Sequence, residues 1–166
     1  LTDVLDIAAD DTTASLHDRL ADMGGALVVR ALADAQMGKL QPVKQPEVGV
    51  TYAHKIEKAE ATVNWQDSAD TIGRRVRAFN PFPAASAQLG ADVIKLWRAT
   101  VESTAHHPAA GTVLSADEHG VRVACGHGVL CVTELQRAGG KRLSAADFLR
   151  GFPLAVGQSF ALHATH

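Results

Sequence analysis

Apolar residues recur every three or four positions between residues 14 and 37, at Leu16, Leu20, Met23, Leu27, Val28 and Leu32, and this spacing predicts a helix over roughly Ala14–Met37. Asp10-Asp11-Thr12-Thr13 supplies its start, with Thr12 or Thr13 as the cap. Gly24-Gly25 is expected to interrupt or loosen it, and Gly38 to end it. Upstream, Leu1 to Ile7 alternates as a strand does. One strand and one helix cannot cover that apolar stripe. Residues 1–40 are therefore expected to be the closing piece of a larger domain and the least well packed part of the chain. Residues 39–50, with Pro42, Pro46 and Gly49 among Lys and Gln, read as an extended linker.

A second helix is predicted over Asp67–Arg77. Ser68 or Asp67 caps it, acidic side chains lie near its start and arginines near its end, and Ala69, Ile72, Val76 and Phe79 form its inward stripe. Pro81 and Pro83 disfavour α geometry at Asn80 and Phe82, so the helix runs into a stiff turn. Short strands are expected near Ala85–Leu89, Val93–Val101, Gly111–Ser115, Val121–Cys125 and Leu130–Leu135. Gly90-Ala91-Asp92 and Asp117-Glu118-His119-Gly120 serve as turns. A helix near Ser144–Arg150 and a last strand around Ser159–Leu162 complete the pattern. The fold class is α+β, mostly β. A small barrel of oligonucleotide-binding (OB) type is one solution and an irregular sandwich the other.

Composition narrows the chemistry. The 166 residues are 46% hydrophobic and 20% charged, which suits a folded chain rather than disorder. No apolar run is long enough to span a bilayer and the first residues lack a basic, then apolar, leader pattern, so a cytoplasmic location is expected. The net charge of −2 hides a segregation. Residues 71–100 carry Arg74, Arg75, Arg77, Lys95 and Arg98 against Asp92 alone, and residues 137–166 carry Arg137, Lys141, Arg142 and Arg150 against Asp147. Between them, residues 101–136 hold four acidic side chains against Arg122. Two basic segments either converge into a patch that meets phosphates or sit on opposite faces. Cys125, His127 and Cys131 are zinc-ligand types, but without a CxxC pair they read as residues of a hairpin with buried cysteines. His106-His107, His163 and His166 read as loop and tail.

The string Arg77-Ala78-Phe79-Asn80-Pro81-Phe82-Pro83, preceded by Thr51-Tyr52-Ala53-His54-Lys55-Ile56 and Val63-Asn64-Trp65, resembles the C-terminal part of the methionyl-tRNA formyltransferase family. Pro108-Ala109-Ala110-Gly111-Thr112-Val113-Leu114, Leu135-Gln136-Arg137-Ala138-Gly139-Gly140-Lys141-Arg142 and Ala145-Ala146-Asp147-Phe148-Leu149-Arg150-Gly151 extend the likeness. So do Asp11-Thr12-Thr13-Ala14-Ser15-Leu16 and Pro42-Val43-Lys44-Gln45-Pro46. The resemblance implies that residues 1–40 end a Rossmann-like catalytic domain, that 41–60 are a linker and that 61–166 form an OB-like tRNA-binding domain. It also implies that the whole enzyme moves a formyl group from 10-formyltetrahydrofolate to the amino group of initiator methionyl-tRNA.

No histidine here lies in that family's catalytic context, and no glycine-rich phosphate loop or nucleophile elbow is present. This chain alone is expected to bind initiator tRNA without catalysing transfer, to hold no cofactor or metal, and to be a monomer that works beside the catalytic domain. The candidate tRNA contacts are Arg74, Arg75, Arg77, Lys95, Arg98, Lys141 and Arg142, with Lys44, Lys55 and Lys58 extending the track. Alternation places Lys95 outward, between inward Ile94 and Leu96. Trp65, Phe79, Phe82 and Trp97 are candidates for stacking on bases, with Phe79 and Phe82 expected in the core. Two other readings stay open: the accessory domain of a sugar-nucleotide formyltransferase, or a structural brace that binds no RNA.

Overall fold

Thr12 begins the first helix. Its Oγ1 accepts a hydrogen bond from the Ser15 N–H at 3.2 Å, while Ser15 Oγ accepts one from the Thr12 N–H at 2.9 Å, so two otherwise orphaned donors are satisfied. In a computed structural model that describes residues 1–103 and 108–162, helix α1 runs over Thr13–Gln36. It passes through Gly24-Gly25 without interruption, where loosening was expected, because the other residues of the helix keep the ladder intact at a cost of propensity alone. Gly38, at a φ of 66°, ends the helix turn. The chain divides into two units, Leu1–Ile56 and Glu57–His166.

Within the first unit, α1 buries none of its residues, and Leu20, Val28, Val29 and Leu32 are exposed. Leu1 to Ile7 forms no strand, contrary to its alternation. A strand needs a partner to take up its backbone groups, and none is paired with it among the described residues. Asp11 also ties the helix start down, accepting from the Ala8 N–H at 2.7 Å, from Ser15 Oγ at 2.8 Å and from Arg19 at 2.6 Å. The Ala8 bond leads the causes that hold its carboxyl below the usual range.

The second unit starts with a 3-10 turn at Lys58–Ala61 and continues with α2 (Ala69–Ala78). Then come β1 (Ala85–Leu89), β2 (Asp92–Glu102), β3 (Val113–Asp117), β4 (Gly120–Ala124), β5 (Val129–Arg137), β6 (Leu143–Ser144) and α3 (Ala145–Gly151). The sheet order is β1-β2-β5-β4-β3, with β6 beside β5 and every strand pair antiparallel. Two-residue turns, Gly90-Ala91 and Glu118-His119, join β1 to β2 and β3 to β4 close to the turns expected there. The segment predicted as a last strand instead makes a single bridge, Thr112 to Ser159. Its backbone splits its bonds: Gly157 N–H donates to Val113 O and Val113 N–H to Gln158 O, both at 2.8 Å, while Ala161 N–H donates to Gln88 O at 2.8 Å. The stretch thus ties the β3 edge to the β1 edge, and serving two strands leaves it unable to pair along either. His163 and His166, like His106-His107, lie outside the described residues.

Inward alternation fills the core with Ile94, Leu96, Val121, Val123, Leu130 and Leu135, and Trp65 sits among them at 0% exposure. Its ring lies 5.1 Å from that of Phe160. Burying such side chains contributes roughly 1.5–3 kcal/mol each, the main stabilisation of this unit. Trp65 is held by the backbone on both sides of it: Val63 N–H donates to Ser86 O and Gly126 N–H to Trp65 O, both at 2.8 Å. The α2 stripe of Ala69, Ile72, Val76 and Phe79 is buried as its spacing predicts. Phe82 is not in the core, where it was expected, but 64% exposed. Helix α2 ends at Ala78 with Phe79 as its C-cap, so Phe82 lies beyond the stripe, in the turn before β1 where Ala84 takes a φ of 70°.

Candidate nucleic-acid interface

Helix α2 sets the first group of cations. Ser68 caps it by accepting from the Thr71 N–H at 3.2 Å, Asp70 stands in the first turn, and Arg75 and Arg77 stand in the last, so charge complements the macrodipole at both ends. A Cβ on Gly73 would lie 3.1 Å from Val101 Cγ2 and 3.8 Å from Leu130 Cδ1, so this side of the helix is pressed on the sheet and the arginines take the others. Arg74 donates to Thr71 Oγ1 at 3.3 Å and Arg77 to Gly73 O at 3.3 Å. Neither has a carboxylate partner among the described residues. Arg75 does, at 3.2 Å from Asp67, and that pair lines a shallow groove with Glu60, Thr62, Asn64 and Phe79.

The second group lies across β2, β5 and β6. Between Leu96, which faces Leu135, and Ala99, which faces Val132, the register shifts twice, so Arg98 comes opposite Glu134. Such irregularities re-aim side chains, and here Trp97 and Arg98 both stay off the core. Glu134 takes Arg98 at 3.3 Å on one carboxylate oxygen and Arg142 on the other. The Arg142 guanidinium also lies over the Trp97 ring, 5.1 Å from its centroid. Trp97 Nε1–H donates to Gln136 Oε1 at 2.8 Å, and Gln136 Nε2–H to Gly140 O at 2.7 Å, which fixes the loop that carries Lys141 and Arg142.

One arginine from each basic segment, Arg98 and Arg142, therefore meets at Glu134, a residue of the acidic block between them. Asn80 links this face to the end of α2, donating from Nδ2 to Trp97 O at 3.2 Å. Lys95 is half-buried where an exposed side chain is expected, because it sits mid-strand between Ser86 on β1 and Gln136 on β5. Lys95 and Lys141 have no carboxylate partner among the described residues. Lys58 is exposed in the 3-10 turn, whereas Lys44, 2.7 Å from Glu47, and Lys55 belong to the other unit.

Of the four aromatic candidates for stacking, Trp65 and Phe79 are buried in the core and Trp97 is covered by Arg142, which leaves Phe82. Sequence reasoning missed Glu134 and Asn80, since neither is marked until the register and the turn bring its partners to it. Cys125 follows β4 and Cys131 lies in β5. Both are buried free thiols, and burial pushes Cys125 up to about 11. Among the described residues, no group of three His, Cys, Asp or Glu side chains is placed to hold a metal ion. Likewise, no described helix is long and apolar enough to cross a membrane.

Residues 55–153 match the model of the formyl transferase C-terminal domain. The chain belongs to the formyl transferase family. It is 58% identical over 95% of its length to a methionyl-tRNA formyltransferase of Delftia acidovorans, and 52% identical over 95% to one of Dechloromonas aromatica. It covers 49% and 50% of those proteins, so the chain spans about half the length of the curated relatives it matches. Among solved structures, HypX from Aquifex aeolicus superposes with a TM-score of 0.64 over 94% of this chain and 30% of its own, at 20% identity. A HypX structure in complex with tetrahydrofolic acid superposes with a TM-score of 0.61 over 78% of this chain and 23% of its own, at 24% identity. At that identity the likeness to HypX is one of fold. This formyl transferase chain has a mixed fold, with six antiparallel strands and three α-helices among the described residues.

Proposed function

We propose that this chain is the tRNA-holding part of a methionyl-tRNA formyltransferase, and that its cations bind the phosphate backbone of initiator tRNA. The observation that carries the reading is identity above 50% with methionyl-tRNA formyltransferases across nearly the whole chain, basic segments included. Arg74, Arg75 and Arg77 on α2, Lys95 and Arg98 on β2, and Lys141 and Arg142 before β6 are the assigned contacts. Phosphate contacts of this kind fix register and supply affinity, with little reading of bases. Residues 61–166 are assigned as an OB-like domain, which the tie between the β3 and β1 edges supports. Residues 1–40 are assigned to the end of a Rossmann-like catalytic domain and 41–60 to the linker.

In this reading the whole enzyme takes its formyl group from 10-formyltetrahydrofolate in the cytoplasm. The transfer itself belongs to residues outside this chain. The test is the affinity of the chain for initiator tRNA across a salt series, beside a variant with Arg74, Arg75 and Arg77 changed to Glu. Binding that weakens steeply with salt and collapses in the variant is the expected result. Binding by neither protein overturns the reading and leaves the chain a brace.

A further inference from the structure

We propose that Glu134 is a positioning residue that holds Arg98 and Arg142 as a clamp for a single phosphodiester group of RNA. The proposal rests on the tRNA-binding reading above and adds to it the acidic residue that stands between Arg98 and Arg142. Its basis is which nitrogen each arginine uses. Arg98 approaches Glu134 Oε1 through Nε, and Arg142 donates to Oε2 through Nε. Among the described residues no Nη atom of either arginine takes part in a hydrogen bond, so toward these residues the Nη edges of both guanidinium groups keep their donors. A guanidinium anchored through Nε still offers a planar pair of N–H donors, the geometry that meets two phosphate oxygens at once.

The surroundings are built rather than incidental. Glu134 is 25% exposed at its side chain, against 69% for Arg98 and 41% for Arg142, so the carboxylate lies deeper than the cations it holds. Trp97 supports the Arg142 plane from below, and Gln136 fixes both Trp97 and the loop before β6. Two arginines on one carboxylate keep a net positive charge. Lys95, opposite Gln136 in the register, and Lys141, beside Arg142, add to it and have no carboxylate partner among the described residues. An anion arriving here finds two side chains already ordered and loses less entropy in binding than it would on free arginines.

The test turns on a sign. Glu134→Ala removes a negative charge from a phosphate-binding face, so if Glu134 acts by charge alone, tRNA affinity rises. If it positions the arginines, affinity falls, by roughly tenfold for two side chains set loose, and the salt slope flattens by about one as a phosphate contact is lost. Glu134→Gln keeps the shape and one acceptor oxygen. The clamp therefore places its affinity between those of the parent and Glu134→Ala, whereas a charge effect makes both variants equal and tighter than the parent. Circular dichroism confirms the fold of each variant, and the glutamine variant carries the test if the alanine one does not fold.

A second arm separates this inference from the RNA reading. In 1H–15N spectra of the full chain, the Nε resonances of Arg98 and Arg142 are expected to shift with initiator tRNA and with inorganic phosphate, and to respond to neither in Glu134→Ala. Response to phosphate in a chain that binds no tRNA overturns the RNA reading and leaves a site for free phosphate. Resonances that ignore both ligands overturn the clamp, whatever the arginines of α2 do.

Discussion

Helix α1 and the sheet treat the same residue in opposite ways. At Gly24 and Gly25 an added Cβ would meet nothing within 4 Å, whereas at Gly126 it would lie 1.8 Å from Gln66 O. The first pair sits in a helix that buries no side chain, and the second stands where the backbone before α2 crosses the turn between β4 and β5. There Gly126 N–H donates to Trp65 O at 2.8 Å and to Asp67 O at 3.0 Å. The contrast teaches that an amphipathic pattern is not a core. Both units carry apolar periodicity, but only the second closes backbone against backbone around the residues that pattern selects.

The largest expected effect is therefore at Gly126. Gly126→Ala must push the 64–68 segment off the β4–β5 turn, moving Trp65 and the start of α2 with it, since Ala69 N–H also donates to His127 O at 2.8 Å. A loss of about 3 kcal/mol or more in urea unfolding is expected. An unchanged midpoint would show that the two backbones are not held together, and the contrast between the units would lose its sharper half.

A second test separates core from surface by titration. Burial pushes the Cys125 thiol from 9.0 up to about 11, so in this window the unfolded chain loses the proton and the folded one keeps it. A raised acid means stability is unaffected below pH 9 and falls as pH rises to about 11, by roughly 1.4 kcal/mol per pH unit. Unfolding midpoints at pH 8, 10 and 11, with Cys125→Ala beside the parent, isolate this group from the others that titrate there. Equal slopes for the two proteins would mean that Cys125 reaches solvent.

β1 to β5 were legible from their apolar runs and the turn residues between them, whereas the two-residue β6 was not, its Ser144 reading only as the start of a helix. The stripe of α2 and its cap at Ser68 were legible for the same local reason. The candidate site was legible only as a list of cations. What joins Arg98 to Arg142 is Glu134, and its position depends on register shifts that leave no mark in the order of residues. Charge counting places Glu134 only in the acidic block between the two basic segments. Phe82 departs from the rule that aromatics near strands are core, which holds for Phe79 at the end of the α2 stripe and fails in the turn beyond it. Leu1–Ile7 failed differently: its alternation is real, but a strand is a relation between segments.

The smallest effect belongs to α1, and it has the opposite sign to that at Gly126. Gly24→Ala and Gly25→Ala remove two flexible residues from the middle of a 24-residue helix without meeting any atom, so each should favour the helix by about 0.8–1 kcal/mol. Because α1 buries no residue, the gain should stay local. Ellipticity at 222 nm rises, amide exchange across residues 20–30 slows, and the unfolding midpoint of the sheet stays where it was. A fall in helicity would mean that the glycine face is packed against another surface in solution. A rise in the midpoint of the sheet would mean that α1 and the core unfold together, and the division between a closed unit and an open one would not hold.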